Sequence, residues 1–264
     1  MAPPPPAAAG TLQERFLVLA QTLQFAWFAG HLTLILTTIR YGFSWLRMNY
    51  YGGMAQFAYR TSFFAAAFTY GIVVYKTQRA RVKTGAPVPG GVLGLLADEN
   101  VQYLLMAIVW LTFPQYPLAL LPYSVYSIFH VATYTRANLI PVFNPPPPAT
   151  DGAARPKVNS PLADKIGAFV KEYYDASMSI VATLEILLFV RVFLSAVLFQ
   201  RRSWILLGFY TIFLRARFAQ SSHVQTSLTH LAARAWDVIK GVARQFHDAT
   251  DVGRYTAGPA KKTS

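Results

Sequence analysis

From Phe16 to Ile39 the chain runs for 24 residues without a charged side chain. A helix of that length rises about 36 Å, enough to cross a hydrocarbon core of roughly 30 Å, and the run is too long for the h-region of a cleaved secretory signal. It is therefore expected to be a retained membrane segment that also acts as signal anchor, behind a disordered Pro/Ala-rich tail over residues 1–15 whose only cation is Arg15. Composition agrees: charged residues make up 13% and hydrophobic ones 54%, where a soluble domain carries roughly a quarter charged residues. The formal charge of +13 sits outside the apolar runs, which excludes a uniformly basic nucleic-acid domain. Cysteine is absent, so thiolate nucleophiles, iron–sulfur clusters, Cys-ligated zinc and disulfides are excluded. No acceptor site for N-glycosylation is present either, since Asn159-Ser160-Pro161 lacks the spacing.

The remaining apolar runs are oddly sized. Thr61 to Tyr75 reaches only about 22 Å. Val101 to Tyr134 is too long for one straight span and is interrupted by Pro114-Gln115-Tyr116-Pro117, which predicts a helical hairpin of Val101–Phe113 and Leu118–Tyr134. Ile180 to Phe199 and Trp204 to Leu214, split by Gln200-Arg201-Arg202-Ser203, form a third pair. The expected architecture is an all-α integral membrane protein of helical hairpins plus interfacial amphipathic helices. Its plan is a membrane domain over 16–134 with a basic cytosolic loop at 76–100, a Pro-rich linker at 135–160, an interfacial amphipathic helix at 161–179, a membrane hairpin at 180–218, a C-terminal amphipathic helix at 219–247 and a basic tail at 248–264. Ser160-Pro161 with Asp164 is the start signal of the helix at 161. Lys76, Arg79, Arg81 and Lys83, then Arg136 to Lys171, then most cations beyond Phe199 fall on one side of a three-hairpin plan, which the positive-inside rule makes cytosolic together with both termini. Arg40, Arg47 and Arg60 fall on the far side, so a four-span arrangement stays open.

Catalytic patterns fail when tested. Asp151-Gly152-Ala153-Ala154-Arg155 resembles the opening of the CDP-alcohol phosphotransferase signature, but the positions where that signature wants Gly, Asp and Asp hold Asp164, Ala168 and Glu172. None of the five histidines has a metal-ligand spacing, and hydrogen bonding to a neighbouring helix is the expected role of His31 and His130, rather than a proton relay. No cofactor is expected. Glu185 is the one acid in a candidate span, and its offset of six residues from Arg191 turns the two to different helix faces. Each needs a partner elsewhere, with Arg60 the candidate for Glu185. A small channel or transporter using these two intramembrane charges is the alternative to a scaffold, and it should offer more inward polar groups. Tyr and Trp at run ends, among them Trp45, Tyr75, Tyr103, Tyr134 and Trp204, are expected to anchor at the interface.

The C-terminal segment has the clearest periodicity. Val224, Leu228, Leu231, Ala235, Ile239, Val242 and Phe246 recur at steps of three and four with Trp236 on the flank, while Arg234, Lys240 and Arg244 lie among the polar positions. This predicts a helix lying in the headgroup plane of an anionic or curved bilayer; the alternative is packing on its own membrane domain or on a partner.

Four stretches resemble the transmembrane protein 33 family, whose fungal branch is the small pore membrane nucleoporin of the nuclear envelope. They are Arg60–Lys76, Asp98–Tyr103, Phe129–Tyr134 with Arg136–Pro141, and the Arg191–Arg217 hairpin. The resemblance runs from about Gln13 to Gln245 and rests on order and spacing. It implies a non-enzymatic multispan protein of the endoplasmic reticulum and nuclear envelope that associates with reticulon-type proteins and nuclear pore components, shapes tubules or distributes pores, and carries C-terminal amphipathic helices. Association with further copies of itself stays open.

Overall fold

A computed structural model describes residues 10–85, 90–145 and 160–250, with side chains to Gln245. The described residues are helical: α1 Leu12–Ala20, α2 Leu23–Leu46, α3 Gly53–Thr84, α4 Gly91–Leu96, α5 Glu99–Thr112, α6 Leu120–Tyr134, α7 Ile140–Phe143, α8 Pro161–Val197, α9 Ser203–Gln220 and α10 Ser222–Thr250. The chain is thus an all-α protein with two helices, α3 and α8, long and apolar enough to cross a membrane, and a third candidate if the bent pair α1 and α2 counts as one span.

Three antiparallel pairs organise it. Tyr41 of α2 packs on Tyr59 near the start of α3, Tyr103 of α5 on Tyr126 of α6, and Phe189 of α8 on Tyr210 of α9. Gly30 lets α2 and α3 approach closely, because a Cβ there would stand 2.5 Å from the Thr69 methyl. The pairs join through an aromatic core in which Tyr59, Phe63 and Trp110 are each 1% exposed or less, and its hydroxyls are satisfied: Tyr123 donates to the Tyr103 carbonyl at 2.9 Å and Tyr59 accepts from the Tyr116 amide at 3.1 Å. Tyr103 and Tyr134, expected as interfacial anchors, are 2% exposed, Tyr103 inside this core and Tyr134 in a separate cluster with Leu19 and Phe28.

All three hairpin turns, at Arg47–Gly52, Phe113–Tyr116 and Leu198–Arg202, lie at one end of the bundle, here the turn end. The other, terminal end gathers Thr84, Asp98, Tyr134 and Ser221. The helices alternating between the ends are unequal: α5 has 14 residues and α6 has 15, about 21–22 Å each, beside 37 in α8.

Several expected boundaries move. The run Phe16–Ile39 is not one straight segment, since it breaks at Gln21-Thr22 and the two helices are bent by 83°. Thr22 caps α2 by accepting from the Phe25 amide at 3.1 Å. Residues 12–15 are helical rather than tail, held by a capping box of Thr11 and Glu14. Lys76–Lys83 is not loop either; α3 carries it to Thr84, where Gly85 at φ +63° closes the helix with Arg81 and Lys83 in its last turn. The stretch 135–143 expected as linker continues as a π-turn and α7. Residues 161–179 are no separate surface helix, because α8 runs unbroken from its Ser160 cap to Val197. The polyproline part of the linker, the Asp151–Arg155 motif, the first nine residues and the tail after 250 lie outside the described residues.

Candidate functional site

Glu185 meets its counter-charge at the terminal end. Glu185, 1% exposed, projects from α8 toward Arg217 of α9, whose Nε donates to its carboxylate at 3.3 Å. Arg217 also bonds Glu99 at the start of α5 and lies 5.3 Å from the Tyr103 ring centroid. Tyr103 donates to Glu185, and Tyr210 donates to the Glu185 carbonyl at 3.0 Å. Three helices are therefore tied by one guanidinium, two carboxylates and the Tyr hydroxyls, an arrangement whose loss of any charged member strands the others.

Arg60, named above as partner for Glu185, is elsewhere. It donates to the Trp110 and Leu111 carbonyls, capping the end of α5. Arg191 bonds Ser195 one turn along its own helix and stands 5.5 Å from the Tyr116 ring centroid, away from Glu185. Sequence reasoning missed Arg217 and Tyr103 as partners of Glu185, and Glu99 as the second carboxylate on Arg217. Asp98–Tyr103 and Arg217 do stand among the stretches that carry the family resemblance, but a pairing across 32 residues has no local signature.

The cluster opens onto a cleft of about 440 Å³ between α5, α6, α8 and the start of α10, lined also by His130, Tyr174 and His223. His31 bonds the Ser127 hydroxyl of α6 through Nδ1 at 2.9 Å and packs its ring 4.6 Å from that of His130. That helix-to-helix hydrogen bond is the role expected for His31. Among the described residues no three His, Asp or Glu side chains converge to hold a metal.

From this cleft α10 leaves the bundle. Its first turns pack on α8: Val224 is 1% exposed, Ser227 bonds Thr183 at 3.4 Å and His223 bonds Ser179 at 3.2 Å. Leu231 is half-buried, and beyond it the helix stands free of the bundle. Leu228 is 39% exposed, Ile239 57% and Val242 60%, with Ala235 and Trp236 open beside them. Lys240 lies over the Trp236 ring, and Arg234 and Arg244 are exposed. Phe246 lies outside the described side chains. One helix thus combines a packed root with a bare amphipathic shaft.

Over residues 5–242 the chain matches the family described as Transmembrane protein 33/Nucleoporin POM33. It is 55% identical to Nucleoporin POM33 of Chaetomium thermophilum, each chain covered completely. It is 32% identical to the Pore membrane protein of 33 kDa of Saccharomyces cerevisiae over 89% of this chain and 81% of that one, and 26% identical to Tetra-spanning protein 1 of Schizosaccharomyces pombe over 96% and 94%. No solved structure matches it. The order of hairpins, the stretches quoted from the sequence and the match along nearly the whole chain agree, and the chain belongs to the Transmembrane protein 33/Nucleoporin POM33 family.

Proposed function

We propose that the protein is a non-enzymatic membrane-shaping scaffold of the endoplasmic reticulum and nuclear envelope that serves at nuclear pores, where α10 holds it to curved or anionic bilayer. The relatives' names, nucleoporin and pore membrane protein, support the station. The observation that carries the mechanism is the bare apolar stripe of α10 on a root packed against α8. Leu228, Leu231, Ile239 and Val242 each contribute about 1.5–3 kcal/mol if fully buried, less at an interface. Arg234, Lys240 and Arg244 add about 1 kcal/mol each near an anionic leaflet, against which Asp237 subtracts. Apolar burial therefore dominates, and charge tunes it.

The bundle supports the same role. A helix of 14 residues, α5, beside one of 37 leaves the bundle uneven in thickness, and such mismatch is relieved where bilayer is thin or bent. The charge cluster supports a structural use of Glu185 rather than an ion path, because Arg217 and Tyr103 already occupy its carboxylate. Reticulon-type proteins and pore components are the partners in this reading, with the terminal end, which carries the larger share of Lys and Arg, facing the cytosol.

The test is the full chain, tagged and followed beside pore and reticulon markers, with Ile239→Asp as variant and Lys240→Ala as control. The variant is expected to stay membrane-inserted but lose enrichment at pores and curved tubules, whereas Lys240→Ala only weakens it. A wild-type chain spread evenly through all membranes, or an Ile239→Asp chain enriched like wild type, would refute the proposal.

A further inference from the structure

Among the described residues the turn-end half of the bundle holds Arg40, Arg47, Arg60, Arg191, Arg201 and Arg202 and not one Asp or Glu; the nearest acid along α8 is Glu185, which Arg217 holds. Arg60 is committed to the end of α5, while Arg40 and Arg191 each bond a Ser hydroxyl one turn along their own helix, Ser44 at 2.6 Å for Arg40. The one polar partner of Arg191 among the described residues is that hydroxyl of Ser195, so its charge meets no anion. What sets Arg191 apart is the groove beside it, of about 550 Å³, whose remaining wall is mostly apolar, with Tyr41 and Trp45 from α2 and Tyr116, Leu118 and Leu121 from the second hairpin.

We propose that this groove binds one anionic glycerophospholipid of the bilayer, with its phosphate on Arg191 and one acyl chain along Trp45 and Leu121. The inference rests on the chain's being embedded in lipid and is independent of the pore station. Arg191 lies about 9 Å from the end of α8, so with that end at the bilayer surface it reaches the level where headgroup meets acyl chain. An uncompensated guanidinium at that depth is costly, and a phosphate answers it through two parallel charge-assisted hydrogen bonds, a geometry suited to arginine rather than lysine. The apolar wall requires that the anion carry a hydrocarbon chain. The headgroup follows from charge: with no Asp or Glu among the described residues of this end, its arginines favour net negative charge over a zwitterion. Gly42 on the groove wall would place a Cβ in open space, so room for the chain exists where a larger residue would fill it.

The test is native mass spectrometry of the detergent-solubilised full chain offered equal dioleoyl phosphatidylserine and dioleoyl phosphatidylcholine. One phosphatidylserine is expected to be retained with about tenfold preference, in keeping with its extra net negative charge beside the arginines, since both lipids carry the phosphate. Arg191→Gln should bring the ratio near one. Gly42→Leu, whose Cβ enters open space and which favours helix, should lower retention of this lipid with Arg191 intact. Ile239→Asp should leave it unchanged, separating this site from the α10 surface. Equal retention of the two lipids by wild type, or an undiminished preference in both Arg191→Gln and Gly42→Leu, would overturn the proposal.

Discussion

The two ends of the bundle hold arginines under opposite conditions. At the terminal end Arg217 is neutralised by Glu185 and Glu99 inside the protein, while at the turn end Arg191 and its neighbours have no carboxylate to meet. A buried ion pair fixes which helices stay together, because separating its members strands a charge where water cannot reach it. Arginines with no internal anion leave their charge to whatever surrounds the protein. One end is therefore built for cohesion, and the other is turned toward lipid.

The sharpest way to break this contrast is to remove one arginine from each end. Arg217→Leu, leaving Glu185 buried without its cation, is expected to cost about 3–5 kcal/mol of unfolding free energy in mixed micelles. Arg191→Leu should change stability by less than about 1 kcal/mol, since its partner is a hydroxyl on its own helix. Equal losses would erase the distinction. Combining Glu185→Leu with Arg217→Leu should cost less than Arg217→Leu alone, because no charge is then stranded.

Next in size is Arg60, a turn-end arginine put to structural use. Arg60→Met frees the Trp110 and Leu111 carbonyls at the end of α5, for an expected loss of about 1–3 kcal/mol by the same titration. A smaller gain is expected at the turn itself. Phe199 ends α8 in the left-handed conformation at φ 52° with the Gln200 amide bonded to the Ser195 carbonyl, and its ring is 81% exposed. Phe199→Gly should therefore stabilise by about 0.5–1 kcal/mol. A loss would mean that the ring packs on something beyond the chain.

The contrast also marks how far the sequence could be read. Pro114–Pro117 and Gln200–Ser203 mark turns because proline removes a helical donor and a polar run ends an apolar one, and Ser160-Pro161 starts α8 by local capping chemistry. The bend at Gln21-Thr22 carries neither proline nor glycine; only a Thr three residues before an amide hints at it. The extension of α3 through Lys76–Lys83 was legible in helix propensity but masked by treating charge as loop. Glu185 stood out as an intramembrane acid, yet its partner Arg217 comes from the way two hairpins pack, which no periodicity encodes.

The account rests on the two ends facing opposite sides of the membrane. An even number of crossings, four or six, preserves that arrangement. Since the chain has no cysteine, Thr84→Cys at the end of α3 and Gln200→Cys in the last hairpin turn each introduce a single thiol, and both positions are exposed. In intact microsomes an impermeant maleimide should label Thr84→Cys at once and Gln200→Cys only after detergent opens the vesicle. Labelling of both without detergent, or of Gln200→Cys alone, would contradict the account.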